Sequence, residues 1–345
     1  MARLIIIGNG YDLAHLKGRT SYEKFSEWLC DKYKLKIEGG NELDFTLSLS
    51  TYDGKFLKQF GNNEEYNKHI IEIDDGRKRI FSAMLVNMMA DLGDESWSGF
   101  EKNLGNLPWK KYINEANAFY KNYSAEYSPV PYGTDLITSA SGTILELFAE
   151  WVEKIKAKDV EKDKIDNKIG TIKDNDFFLI FNYTNTIEKV FSINRNKNLC
   201  YIHGSALNND EIIVGHGDNK KQGGTNLDSE EDYIQEAEAV LYKNVKEIIE
   251  KHEDFFEVVK NTFSKDKNNE IYVYGWNGCG VDIDYLKKIV AIVESSNSKC
   301  KLYINNYNGD GENKEDLWKK SGFSGDIELI SIPRKQSDNK CIKLS

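Results

Sequence analysis

Four short segments hold residue types that could do chemistry. They are Gly8-Asn9-Gly10, Asn182-Tyr183-Thr184, His203-Gly204-Ser205 and Gly275-Trp276-Asn277-Gly278. Each follows a short apolar run, so each is expected at a strand end. Ligands of open α/β sheets bind beyond the carboxyl ends of strands. Glycines at Gly8 and Gly10 would let backbone N–H groups approach a phosphate; an ordinary tight turn explains them equally well. Asp12 could bond a ribose hydroxyl or cap the next segment. Asn182 offers a donor and an acceptor for a hydroxyl or a water, or it could bond its own turn. His203 could serve as a general base, since an unperturbed imidazole changes charge near working pH, or as a structural histidine. Asn277 and Asp282 follow the late glycine segment, and Asp282 is placed to cap the next helix. His216, in Gly215-His216-Gly217-Asp218, marks another strand end. Trp97 and Glu101 share a helix face, the carboxylate being the odder member. The histidine and carboxylate spacings match no metal signature, so no metal is expected.

The elements needed to position these residues can be read from periodicity. Continuous apolar runs at Arg3 to Ile7, Phe177 to Phe181, Cys200 to Gly204, Ile212 to Gly215, Ile271 to Gly275, Cys300 to Asn305 and Ile327 to Ile332 predict strands. Such runs suit parallel strands buried on both faces. Helical spacing is predicted for Ser21 to Tyr33, with Ser21 as N-cap, and for Arg77 to Leu92 and Ser141 to Lys156. It is also predicted from Thr186, over 229 to 263 as one or two acidic helices, and for Asp282 to Glu294 and Glu312 to Lys320. Glu95 to Leu104 carries Trp97 and Glu101. Leu43 to Gly61 is mixed, Asp159 to Lys168 is charged, and Gly223-Gly224 opens a loop. Strands alternating with helices predict an α/β fold, a doubly wound, mostly parallel Rossmann-like sheet with a helical insertion. The expected division is a core of residues 1–35 and 170–345 and a mostly helical insertion over 36–169.

Composition narrows the function classes. The chain has 345 residues, 40% hydrophobic and 30% charged, a globular balance. A net charge of −10 and a pI near 5.2 argue against gripping nucleic acid or anionic membranes by charge. Five cysteines with no CxxC pair point to free thiols in a reducing compartment. No apolar run approaches 18 residues, so a cytoplasmic protein is expected.

The chain resembles the AbiH-type abortive-infection proteins of bacterial antiphage defence. The resemblance rests on Ile5-Ile6-Ile7-Gly8-Asn9-Gly10-Tyr11-Asp12-Leu13 with Thr20-Ser21-Tyr22 and Phe25, and on Trp97 with Glu101. It continues through Phe181-Asn182-Tyr183-Thr184-Asn185-Thr186-Ile187-Glu188, Ile202-His203-Gly204, Val214-Gly215-His216-Gly217-Asp218 and Tyr272-Val273-Tyr274-Gly275 through Asp282. The same pattern is more distantly similar to sirtuin-like domains, including those of defence NAD hydrolases. That likeness implies Asn182 and His203 as catalytic residues. It implies Gly8, Asn9, Gly10, Asp12, Thr184, Gly204, Gly275, Asn277 and Asp282 around NAD. Thr184 stands where a sirtuin deacylase carries aspartate, Trp276 and Asn277 stand in place of a small histidine-serine pair, and the zinc cysteines are absent, so deacylation is not implied. The implied activity is an abortive-infection effector that cleaves the N-glycosyl bond of NAD and releases nicotinamide. NAD is then a substrate or ligand, with no tightly bound cofactor. A nucleotide sensor that gates a partner without turnover is the alternative, and an RNA nuclease the third reading. The implied partners are a phage-derived trigger and further copies of the chain, with no membrane.

Overall fold

A computed structural model describes residues 1–16, 18–35, 63–93, 99–114, 130–155, 172, 173, 175–191, 193, 198–206, 210–217, 229–306 and 309–330; over 63–74 and 130–138 it describes the backbone only. The readings for 43–61, 159–168 and 223–224, and those for Trp97 and Asp218, lie outside these residues. The chain divides into two compact units. One comprises 1–17, 159–202 and 246–345, the other 18–158 and 203–245.

The first unit contains a six-stranded sheet. In chain order the strands are β1 (Arg3–Ile7), β2 (Phe177–Ile180), β3 (Leu199–Tyr201), β4 (Asn268–Tyr274), β5 (Lys299–Asn305) and β6 (Asp326–Ile330). Their spatial order is β3-β2-β1-β4-β5-β6, and every pairing is parallel. All five residues of β1 and all four of β2 are buried, as the apolar runs predict for central parallel strands. Edge strand β6 is only partly buried.

Helices lie against alternate strand residues. Ile187 and Val190 of α6 (Thr186–Phe191) join Ile5, Ile7, Phe178, Ile180, Tyr272 and Tyr274 in one core. Phe177, pointing the other way by the period of two, meets Phe255 of α9 (Glu253–Lys265) edge to face. Helix α9 packs on α10 (Ile283–Ser295), and α11 (Gly311–Lys320) lies against β5 and β6. Short helices α1 (Asn9–His15) and α8 (Val245–Lys251) complete the set. The start of β1 is held by a buried ion pair. Arg3 Nε donates to Asp176 Oδ1 at 2.7 Å and Nη2 donates to Oδ2, and Lys173 N–H donates to the same carboxylate at 2.7 Å.

The second unit is mostly helical. It contains α2 (Tyr22–Tyr33), α3 (Asn63–Asp91), α4 (Phe100–Asn103), α5 (Val130–Lys154) and α7 (Glu230–Val240). Helices α2, α3 and α5 pack on one another, and α7 packs on α5. Phe25, Phe100, Phe148 and Trp151 form a buried aromatic cluster between them. Ser229 caps α7 in a reciprocal capping box with Asp232.

Three readings change. The run Ile212 to Gly215 is not a strand: only an isolated bridge forms beside it, between His216 and Tyr242. Strand β3 stops at Tyr201, so His203-Gly204 lies beyond it. The acidic stretch 229–263 is three short helices, because the chain turns at Leu241–Asn244 and again at His252. Among the described residues, no helix is long and apolar enough to cross a membrane.

Candidate functional site

The strand order reverses between β1 and β4, so the chain leaves their carboxyl ends in opposite directions. The glycines of the two turns meet there. Gly275 adopts φ +65°, a left-handed conformation that costs an L side chain about 1–2 kcal/mol. A Cβ on Gly275 would lie 2.1 Å from Tyr11 N, and one on Gly8 would lie 2.5 Å from Gly275 O. Gly10 is confined less tightly, its Cβ position falling 2.8 Å from Gly275 Cα. The three glycines therefore allow two backbones to touch.

The amides of this turn donate within the protein. Gly8 N–H donates to Tyr274 O at 2.8 Å, Gly10 N–H to Gly275 O at 3.0 Å and Tyr11 N–H to Gly8 O at 2.9 Å. They are thus engaged by the chain and are not offered to a diphosphate in this structure.

Beside the turn, α1 and the loop after β2 bring buried polar side chains together. Thr184 Oγ1 donates to Asp12 Oδ2 at 2.5 Å and lies 2.8 Å from Thr186 Oγ1. Asp12 is 1% exposed. Burial pushes its carboxyl up to about 6, against the lowering effect of Thr184, Thr186 and Asn182. Asn182 is buried too, and neither its Oδ1 nor its Nδ2 makes a hydrogen bond of normal geometry among the described residues. A buried amide without full partners costs free energy unless something completes it. Asp12, Asn182 and the two threonines fit a hydroxyl-bearing group such as a ribose, or a water: they offer a carboxylate acceptor and an amide that both donates and accepts.

Asn9 opens α1 and is half-buried. Asn277 is exposed. Asp282 precedes α10 but makes no capping bond; its Oδ2 accepts Trp276 Nε1–H at 3.0 Å. His203 and Gly204 fold with the second unit. His203 is buried and its carbonyl accepts Ile213 N–H at 3.0 Å, while Gly204, at φ +80°, lies against Glu211 O.

The second unit has a polar cluster of its own. Glu101 accepts from Tyr22 Oη at 2.7 Å and from Lys243 Nζ at 3.1 Å. The Lys243 side chain is 1% exposed and that of Glu101 19%. His216 Nε2 lies 3.0 Å from Glu238 O, and a Cβ on Gly105 would strike the His216 ring at 2.8 Å. Sequence reasoning named Glu101 and His216 but missed Lys243, which carries no motif. It also missed Thr186, although the Thr-x-Thr pattern after β2 was a usable signal. Among the described residues, no three His, Cys, Asp or Glu side chains are grouped so as to hold a metal ion.

Comparison with known proteins gives one positive result. A family model described as bacteriophage abortive infection AbiH matches residues 4–304. No curated protein and no solved structure gives a match. The family match runs from β1 to β5 and takes in every candidate residue above, and by it the chain belongs to the AbiH family.

Proposed function

We propose that the chain acts in antiphage abortive infection as a hydrolase directed at a nucleotide, with the N-glycosyl bond of NAD as the bond cleaved. The family supports the biological role. The observation that carries the chemistry is the buried pair of Asp12 and Asn182 at the sheet's reversal point. The strand order β3-β2-β1-β4-β5-β6 is also that of Rossmann-like dinucleotide-binding sheets, and it supports the sirtuin-like reading of this edge.

In this reading Asn182 orients a ribose hydroxyl or the attacking water. Asp12 takes a proton, because a carboxyl held near 6 is mostly ionised at neutral pH yet still basic enough to accept one. Thr184 and Thr186 fix the carboxylate. The diphosphate is given no place on Gly8 and Gly10, whose amides are already bonded.

The test is nicotinamide release from NAD by the purified full chain, with and without lysate from infected cells. Wild-type release, lost in Asn182→Ala and in Asp12→Asn, is the expected result. Release that survives both substitutions, or none under any condition, would sink the proposal. One observation favours a sensor without turnover. Asp12 and Asn182 are 1% and 4% exposed, so a ligand reaches them only if the surrounding chain moves. Calorimetric binding of NAD without product distinguishes that case.

A further inference from the structure

Trp276 follows β4 in a segment that is neither helix nor strand. Its indole stacks on Phe181 with centroids 4.6 Å apart and planes 22° apart. Tyr285 meets the same Phe181 edge-on at 5.2 Å. A Cβ built on Gly278 would stand 3.1 Å from Cη2 and Cζ3 of the indole, so the Gly278 backbone lies against the ring. The single N–H of the indole reaches the Asp282 carboxylate at 3.0 Å. Trp276 is 4% exposed. A platform, a cover and one directed acceptor are how proteins hold a planar base.

Its place in the fold sharpens the comparison. Phe181 immediately precedes Asn182 in the chain. A Cβ on Gly8 would lie 2.7 Å from Trp276 Cβ, so the Trp276 stem rests on the turn that leads to Asp12. The stem of Trp276 thus sits at the carboxyl ends of β1 and β4, beside the polar pair. Further along the segment Gly278 and Gly280 have φ of 63° and 59°, and a Cβ on Gly280 would meet no atom within 4 Å. Trp318 differs: it is carried on α11 and packs edge-on against Phe323 in the core.

We infer that Trp276 is an intramolecular occupant of a heteroaromatic subsite. The slot between Phe181 and Gly278 takes a planar base bearing an N–H donor for Asp282, such as the amino group of adenine or the carboxamide of nicotinamide. Trp276 swings out, the chain yielding at Gly278 and Gly280, to admit it. This rests on the reading of the β1–β4 edge as the nucleotide site.

The experiment uses the full chain. Trp276→Ala is titrated calorimetrically with indole, adenine and nicotinamide, with toluene as an aromatic that lacks an N–H. Indole and at least one of the two bases should bind the variant about tenfold or more tightly than wild type, since removing the internal competitor raises the competent fraction. Toluene should bind more weakly than either. A variant that takes up indole and toluene alike and neither base has an ordinary core cavity, and the inference fails. Wild type labelled with 5-fluorotryptophan covers the case in which Trp276→Ala does not fold, with the Trp276 resonance assigned by Trp276→Phe. That resonance should move toward its solvent-exposed position on saturation with NAD, and an unmoved resonance overturns the inference. Base binding without nicotinamide release would remove the hydrolase reading and leave the slot. Release with an unmoved resonance would do the reverse.

Discussion

Replacing Asp12 by asparagine should make the protein more stable while removing its proposed chemistry. Burial raises the folded-state pKa from 3.8 to about 6. The folded state therefore prefers the protonated acid, and its advantage is fully present below 3.8. That advantage is lost as pH rises toward 6, and the cost is constant above that. At about 1.4 kcal/mol per pH unit, keeping Asp12 charged costs the fold about 3 kcal/mol at pH 8 and about 0.5 kcal/mol at pH 4. Asparagine has the same shape and stays neutral. Its Oδ1 can still accept from Thr184 Oγ1, and the Asn182 amide can turn its oxygen toward the new Nδ2. Urea unfolding followed by circular dichroism at pH 4, 6 and 8 measures the difference. Asp12→Asn should gain on wild type as pH rises, approaching 3 kcal/mol at pH 8. An offset that does not depend on pH, or a variant less stable than wild type at pH 8, would refute the reasoning.

The remaining predictions concern stability and use the same assay. Gly275→Ala should cost at least about 3 kcal/mol, combining left-handed strain, a Cβ 2.1 Å from Tyr11 N and loss of the bond from Gly10 N–H. Gly309→Ala, at φ +79° with nothing within 4 Å, should cost only about 1 kcal/mol; equal losses would mean that crowding is irrelevant. Glu101→Gln should destabilise more than Lys243→Met. The first takes the opposite charge away from an ammonium whose side chain is 1% exposed, while the second leaves a carboxylate that Tyr22 still donates to and that has more access to water; the reverse order would contradict the burial argument. Arg3→Met should cost about 3–5 kcal/mol by leaving Asp176 charged and buried, and near-neutral unfolding data would refute it.

The sheet was legible because its strands announce themselves locally. Leu4 to Ile7, Phe177 to Ile180 and Ile271 to Tyr274 are unbroken apolar runs, which suit a sheet covered on both faces. The strand ends at Gly8 and Gly275 were visible for the same reason. What could not be read is which strand lies beside which. That the two glycines confine each other, and that Asp12 meets Thr184 across 172 positions, depends on register. Ile212 to Gly215 has the composition of a strand, yet it forms no ladder and only His216 bridges to Tyr242. Lys243 shows the limit for the second cluster. A lone lysine after an acidic helix reads as surface, and its burial follows from a partner 142 positions away. A hydrophobic pattern likewise carries no label for the unit in which a segment packs: residues 203–245 group with the helices, and 246–345 with the sheet.

The central place of β1 also has a consequence in time. The strand is made well before its two neighbours, β2, which starts at Phe177, and β4, which starts at Asn268. At roughly 5–20 residues per second, β1 waits on the order of 13–50 s before β4 exists to pair with it. Until then Asp12 lacks the turn of Gly275 that shapes its surroundings. A nascent chain interrupted before residue 268 would carry every N-terminal signature residue and no assembled site.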